Sequence, residues 1–445
     1  MMKKHWIIGL GFVMMFCSCD QPDTKAYLKK VIENLESIES VEYQCRHIAW
    51  EPYVADPMYD LVYTWQEYAN PADTAYGSSY IKFDKDTIIV PSFVDVHVHL
   101  REPGFAYKET INSGTKAAAK GGITTVMSMP NLNPCPHNIE NLKVQEDIIE
   151  KDAVVHVYPY GAVSVNQKGQ EIADLENLCK KVVAITDDGV GVNNIEILTE
   201  AMKIAKKYNI VMASHAEDVV DSKLPAGEYV AVEREIKLAK EIGCKYHFLH
   251  MSTKQSFELI RQAHKEGYSN ITCEVAPHHL LLNQDMIKNG NYKMNPPLRS
   301  KEDMEETIKA LLDGTAIMVA SDHAPHAAHE KNVEYSKCLN GIIGLETMIP
   351  LIYTHFIETK KASLNDFVDW FVTNPNKVFS LPERKLEVGY DADITILDIK
   401  TKRIFTEKEI VSLSKNSPYI GMEMTGFPKY TLVNGKIVWR DDYEM

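Results

Sequence analysis

Short apolar runs alternate with helical stretches from residue 93 to residue 372, a pattern that few folds accommodate. The runs at 93–98, 123–128, 153–159, 182–186, 210–214, 245–249, 270–275 and 316–320 have the length and the β-branched content of buried strands. Between them, 107–120, 138–150, 172–179, 194–207, 227–241, 253–265 and 301–312 read as helices, with further helices expected at 338–358 and 363–372. Eight strands, each followed by a helix, predict an α/β chain closed into a (β/α)8 TIM barrel rather than an open dinucleotide-binding sheet. Such a barrel keeps its chemistry at the C-terminal ends of the strands.

The polar residues fall where that architecture would use them. In Val94-Asp-Val-His-Val-His-Leu-Arg101, His97 and His99 are two apart on one strand and so share a face, with Val96 and Val98 expected to pack behind them. His215 ends the run Ile210–Ser214 and His250 ends Tyr246–Leu249, which places both at strand tips. Either histidine alone could be structural, but both at strand ends make that reading a weak one. Four of them at three tips supply neutral nitrogen ligands for zinc or a similar divalent ion. A two-ion site also needs an anionic bridge, and Asp187-Asp188-Gly189 follows the run 182–186. One aspartate of that pair suits the bridge and the other suits a loop cap. Asp322 closes the last strand, where a carboxylate beside the ions can move protons. Arg101 offers a two-pronged fork to a carboxylate, while Asn131 and Asn295 sit in proline-stiffened loops. His247 is expected on the barrel side, and His278 and His279 in supporting or structural places. These residues point to a metal-dependent hydrolase acting on a small anionic substrate.

The formal net charge of -14 argues against a nucleic-acid surface. Eight cysteines without a C-x-x-C pair exclude a disulfide framework, and Cys179, Cys244 and Cys273 read as buried thiols. A cytoplasmic enzyme is expected. The start of the chain points elsewhere: a short basic Met1–His5, the apolar Ile7–Phe16 and Cys17-Ser-Cys19 look like a lipoprotein signal, with Cys19 as the lipidated residue and membrane anchoring as the alternative location. The expected organisation is a signal-like segment 1–19, an α+β segment 20–87 with an amphipathic helix at 24–39 and strand-like stretches at 41–65 and 78–90, the catalytic barrel 88–375, and a β-rich module 376–445. In that module Asn434-Gly435 marks a hairpin turn.

Six motifs together resemble the amidohydrolase superfamily and, within it, the class I bacterial dihydroorotases. They are Asp95-Val-His-Val-His-Leu-Arg-Glu-Pro-Gly104, Met129-Pro-Asn131, Thr186-Asp-Asp-Gly189, His250-Met-Ser-Thr-Lys254, Met294-Asn-Pro-Pro297 and Ser321-Asp-His-Ala-Pro-His326, and the likeness spans residues 88–440. The resemblance implies His97, His99, Asp188, His215, His250 and Asp322 as ligands of one or two zinc ions, with Asp322 also the general base and acid. It implies Arg101, Asn131, Asn295 and His326 as substrate contacts. Most relatives bridge their ions with a carboxylated lysine on strand four. Here Lys180 and Lys181 precede that strand, so the acidic pair takes the role, Asp188 first and Asp187 second. The implied reaction is reversible hydrolysis of (S)-dihydroorotate to N-carbamoyl-L-aspartate in pyrimidine (UMP) biosynthesis. A homodimer and association with the preceding pathway enzyme are the implied partners. The rivals are another cyclic amidase (hydantoinase, dihydropyrimidinase or allantoinase) and a non-catalytic dihydroorotase-like partner subunit. The first normally uses the strand-four lysine, and the second typically loses ligands that this chain keeps. Residues 1–86 do not match the family, which leaves the C-terminal strands expected to be short of partners.

Overall fold

The computed structural model describes residues 86–218, 224–387 and 389–441, together with five short strand segments between residues 40 and 84. Two of these segments, Ser40–Gln44 and Ser78–Asp84, pair antiparallel, within the stretches expected to be strand-like. The helix expected at 24–39 and the Cys19 region lie outside the described residues. Among the described residues, no helix is long and apolar enough to cross a membrane.

Eight parallel strands form the TIM barrel: Phe93–Val98, Ile123–Ser128, His156–Pro159, Ala184–Ile185, Val211–Ser214, Lys245–Phe248, Ile271–Val275 and Met318–Val319. The first three pair as one ladder and the last five as another. Single parallel bridges join the two ladders, Gly161 to Ile185 on one side and Val98 to His323 on the other. The His99 amide, donating to the His323 carbonyl at 2.8 Å, fastens the second seam at the level of the polar residues.

Two apolar layers hold the barrel. Outward-facing Phe93, Val98, Tyr246, Phe248, Ile271, Cys273 and Val275 pack under the helices. Val94, Val96, Met127, Ala184, Val211, Ala213 and Met318 form a separate buried cluster with Phe379 and Leu381, which arrive from beyond the last barrel helix to plug the interior. Each valine, leucine, isoleucine, phenylalanine or methionine among them, fully buried, contributes about 1.5–3 kcal/mol. Val96 and Val98 therefore do not pack on one side as expected. The ladder between strands one and two shifts register between Asp95 and Val98, so Val94 and Val96 fill the interior while His97 and His99 still face inward above them.

The helix expected at 338–358 begins only at Met348 and continues as a π-helix from Tyr353 to Glu358. Gly341, with φ 136°, and Gly344 stop it earlier, because a Cβ on either would press against Ala324 or Ser321 of the loop after strand eight. The stretch expected to be helical at 172–179 shortens to Leu175–Leu178.

The C-terminal strands Ile394–Asp398, Phe427–Val433 and Lys436–Arg440 do not lack a partner. Thr87–Pro91 pairs antiparallel with Ile394–Asp398 and completes a four-stranded sheet. That strand straddles the 87/88 boundary drawn from the sequence. The Asn434-Gly435 turn has φ 50° and 77°, as a type I′ hairpin requires. The sheet docks on the barrel through Thr431 and Thr395, whose hydroxyls donate to the carbonyls of Ala119 and Gly122.

Candidate metal centre and active site

Three of the strand tips end in backbone that turns sharply inward. Arg101, His250 and Asp322 have φ of 63°, 34° and 48°, a region that side chains other than glycine enter at a cost of about 1–3 kcal/mol each. The turn at His250 also breaks strand alternation, so His247 and His250 both reach the interior although they are an odd number of positions apart.

Around Asp188 the polar atoms form two groups. Its Oδ2 lies 3.5 Å from His97 Nε2 and 3.4 Å from His99 Nε2. Asp322 Oδ1 completes that group, at 3.4 Å from His97 Nε2 and 3.2 Å from His99 Nε2. The other oxygen of Asp188, Oδ1, lies 3.4 Å from His250 Nε2 and 3.5 Å from His215 Nδ1, and those two nitrogens are 3.0 Å apart. All six residues are buried. Donors about 2.0–2.2 Å from a tetrahedral ion stand about 3.4 Å from one another. The measured separations in the first group match the edges of such a tetrahedron. His97 Nε2 and Asp188 Oδ1 are buried and have no hydrogen-bond partner, which is costly unless a cation takes their lone pairs. The residues present therefore fit a metal centre, with Asp188 reaching both groups.

The electrostatics agree. Burial works against the charged forms of Asp188 and Asp322, yet the histidines around them hold both carboxyls well below the usual range. Burial likewise opposes a charge on His97, and Asp188, Asp322 and Glu274 outweigh it and raise its pKa well above the ordinary value. In the site the buried carboxylates and histidines thus stabilise one another's charged forms, His215 being raised, despite its burial, to about 9 by Asp188 and Glu217.

Asp187 points away from this centre. Its Oδ1 accepts from the amides of Val163 and Ser164 at 2.8 and 3.2 Å, and its Oδ2 accepts from the Ser164 hydroxyl. Of the pair, Asp188 is thus the residue that faces the histidines, and Asp187 the one that binds the Val163 and Ser164 loop.

The residues expected to hold substrate line the same rim, and most of them already have partners. Asn131 Oδ1 accepts from His99 Nδ1 at 2.9 Å. Asn295 donates to Glu217 Oε2 at 3.2 Å, and that same oxygen accepts from His215 Nε2 at 3.1 Å. Arg101 Nε donates to the Pro325 carbonyl at 3.2 Å, and its Nη2 is 3.4 Å from His326. Burial lowers the Arg101 pKa only to about 10, so the guanidinium stays charged at neutral pH. His326 Nε2 donates to the Asn340 carbonyl at 2.7 Å, while Lys108 Nζ lies 3.2 Å from its Nδ1. Burial and the two flanking cations push the His326 pKa down to about 3. In this arrangement both of its ring nitrogens are engaged.

Three supporting residues escaped the sequence. Glu274 receives His97 Nδ1 at 2.8 Å and His247 Nε2 at 3.1 Å. A lone carboxylate inside the apolar run Ile271–Val275 was the available signal. Glu217, two residues beyond His215, was similarly within reach of pattern. Lys108, also paired with Glu330 at 3.0 Å, left no mark in spacing or composition.

Comparison with known proteins gives a consistent result. The family described as dihydro-orotase-like matches residues 86–256. The dihydroorotase of Shouchella clausii is 42% identical over 81% of this chain and 90% of its own length. That of Listeria innocua is 42% identical over 83% and 92%. Among solved structures, the L-hydantoinase of Arthrobacter aurescens superposes with a TM-score of 0.73 at 26% identity, covering 82% of this chain and 93% of its own. A D-hydantoinase from Bacillus sp. AR9 has the same TM-score at 23% identity, over 91% and 94%, a likeness of fold alone. With this identity running across nearly the whole length of such relatives, the chain belongs to the dihydroorotase family.

Proposed function

We propose that this chain catalyses the reversible hydrolysis of the cyclic amide of (S)-dihydroorotate to N-carbamoyl-L-aspartate. The centre would be held by His97, His99, Asp188, His215, His250 and Asp322, with zinc as the ion that best suits four imidazoles and two carboxylates. The observation that carries the reading is the split of Asp188, one oxygen to each ligand group at 3.4–3.5 Å. Divalent ions bound there would supply Lewis acidity and lower the pKa of a water molecule.

The rest is the work of the chain's own groups. Asp322 reaches the histidines through Oδ1 and keeps a second oxygen with which to take the proton of the attacking water and return it to the departing ring nitrogen. Arg101, fixed through its Nε to the Pro325 carbonyl, directs its charge toward the rim and pairs with the substrate carboxylate. Asn131 and Asn295 keep His99 and the His215–Glu217 pair in place, and their remaining amide capacity faces the ring. His326, expected as a substrate contact, has its ring nitrogens engaged by the Asn340 carbonyl and Lys108 and instead stiffens the loop beside Arg101. The location that suits this activity is the cytoplasm; an acylated mature chain beginning at Cys19, seen by mass spectrometry, would place it at a membrane instead.

The test is turnover by the purified full chain. Dihydroorotate hydrolysis should disappear on chelation and return with zinc, and metal-free protein that still turns over would end the proposal. Arg101→Lys keeps the charge but loses the fork, so KM for dihydroorotate should rise at least about tenfold. Unchanged KM, or better turnover of uncharged hydantoin or dihydrouracil, would favour the cyclic-amidase alternative.

A further inference from the structure

The interior of the barrel is apolar on most strands, but strands six and seven direct a polar column into it. On Ile271–Val275 the residues Ile271, Cys273 and Val275 face the helices, which leaves Thr272 and Glu274 as the inward positions. On Lys245–Phe248 the residues Tyr246 and Phe248 face outward and His247 faces in. The parallel register sets His247 beside Thr272. The side chains then form one line: Thr272 Oγ1 lies 2.8 Å from His247 Nδ1, His247 Nε2 is 3.1 Å from Glu274 Oε2, and Glu274 Oε1 is 2.8 Å from His97 Nδ1. His97, His247 and Glu274 have no exposed surface, and the Phe379 ring closes the column from the side, 5.3 Å from the imidazole of His247.

A carboxylate only accepts hydrogen bonds. Both imidazole nitrogens that meet Glu274 must therefore carry hydrogen. For His97 this fixes hydrogen on Nδ1, so Nε2, which faces Asp188 and Asp322 without a hydrogen-bond partner, is the nitrogen that can offer a lone pair to a cation. For His247 it leaves Nδ1 to accept from the Thr272 hydroxyl. Burial alone would favour a neutral carboxylic acid at Glu274, but each of its two oxygens meets an imidazole nitrogen, which pairs the carboxylate on both sides. An ionised group with no exposed surface is tolerable only when it is fully paired.

We propose that Glu274 is the positioning residue of the metal centre: it holds His97 in the form whose Nε2 lone pair points at the ion, and His247 with Thr272 holds Glu274. The inference rests on the metal reading above and adds to it a group that touches neither ion nor substrate. Its effect belongs to metal affinity first and to turnover second, since partners of this kind commonly change metal affinity by about 10–100-fold.

Glu274→Gln isolates the effect. The amide puts an N–H donor opposite one of the two imidazoles and removes the charge that both were paired with. The chelator-stripped full chain should bind zinc about 10–100-fold more weakly in competition with a chromophoric chelator. His247→Gln leaves Glu274 held by His97 alone and should weaken zinc several-fold. Glu346→Gln serves as the control, because Glu346 is also buried but accepts from the amides of Val411 and Ser412, pairs with Lys120 and meets none of the six ligand residues. It should leave zinc affinity within about twofold whatever it does to Tm. A parent chain that binds no zinc would remove the metal reading itself. A parent that binds zinc while Glu274→Gln binds it equally well overturns this inference alone, as does a Glu346→Gln loss as large as that of Glu274→Gln. Should Glu274→Gln fail to fold, His247→Gln decides by the same comparison.

Discussion

Asp322→Asn should leave a folded protein that retains metal and has lost about 10³–10⁴-fold in kcat. The asparagine keeps an oxygen where Oδ1 meets His97 and His99 at 3.4 and 3.2 Å, so the first ligand group survives in weakened form. What disappears is the ability to take a proton. A well-placed general base accounts for about 10²–10⁴-fold in rate, and the proposed mechanism also gives this group the protonation of the leaving nitrogen, so both directions of the reaction should suffer. The histidines around Asp322 hold it ionised despite its burial, which keeps it in the basic form throughout the neutral range. Steady-state kinetics paired with elemental analysis make the check. A variant with metal retained and kcat within about tenfold of the parent would assign proton transfer to another group.

The legible part of this chain is the part governed by periodicity. Buried parallel strands need continuous apolar runs, and a ligand at a strand tip must end such a run; His215, His250 and Asp322 each do. Asp187 and Asp188 were separable only in space. Both follow the same strand, and one residue of rotation decides which carboxylate meets the histidines and which meets the Val163 and Ser164 amides.

Other features had no periodic signature. The register shift between Asp95 and Val98, which admits valine and histidine to the same interior, depends on how strand two is aligned against strand one. Residues 78–90 read as strand-like, but the pairing of Thr87–Pro91 was hidden because its partner lies some 300 residues on, and pairing at that range is set by the sheet rather than by local composition. Lys108 is similar: its position follows from the loop after strand one closing over the loop after strand eight, where His326 and Glu330 receive it. Glu274 differs from these. A single acid at the inward phase of a buried strand violates the local pattern, and such violations belong to functional sites more often than to ordinary cores.

The contrast between Asp188 and Asp187 gives the sharpest test of the centre. Asp188→Ala removes the one carboxylate whose two oxygens face both ligand groups, so each group loses a donor at once. Metal affinity should fall by at least about a hundredfold, because losing a direct ligand costs no less than losing a residue that merely orients one. At least one ion equivalent should be missing on elemental analysis, and turnover should drop below detection. Asp187→Asn acts on a different link. It disturbs a carboxylate that accepts three hydrogen bonds from Val163 and Ser164, so its signature is a lower Tm with metal content near that of the parent. Measuring both quantities on both variants separates the roles. Equal metal loss from the two, or loss from Asp187→Asn alone, would transfer the bridge to Asp187 and show that the loop rearranges when the ions bind. Retained metal in Asp188→Ala would mean that the two groups bind their ions independently, in which case the shared carboxylate cannot be what holds a common water molecule between them.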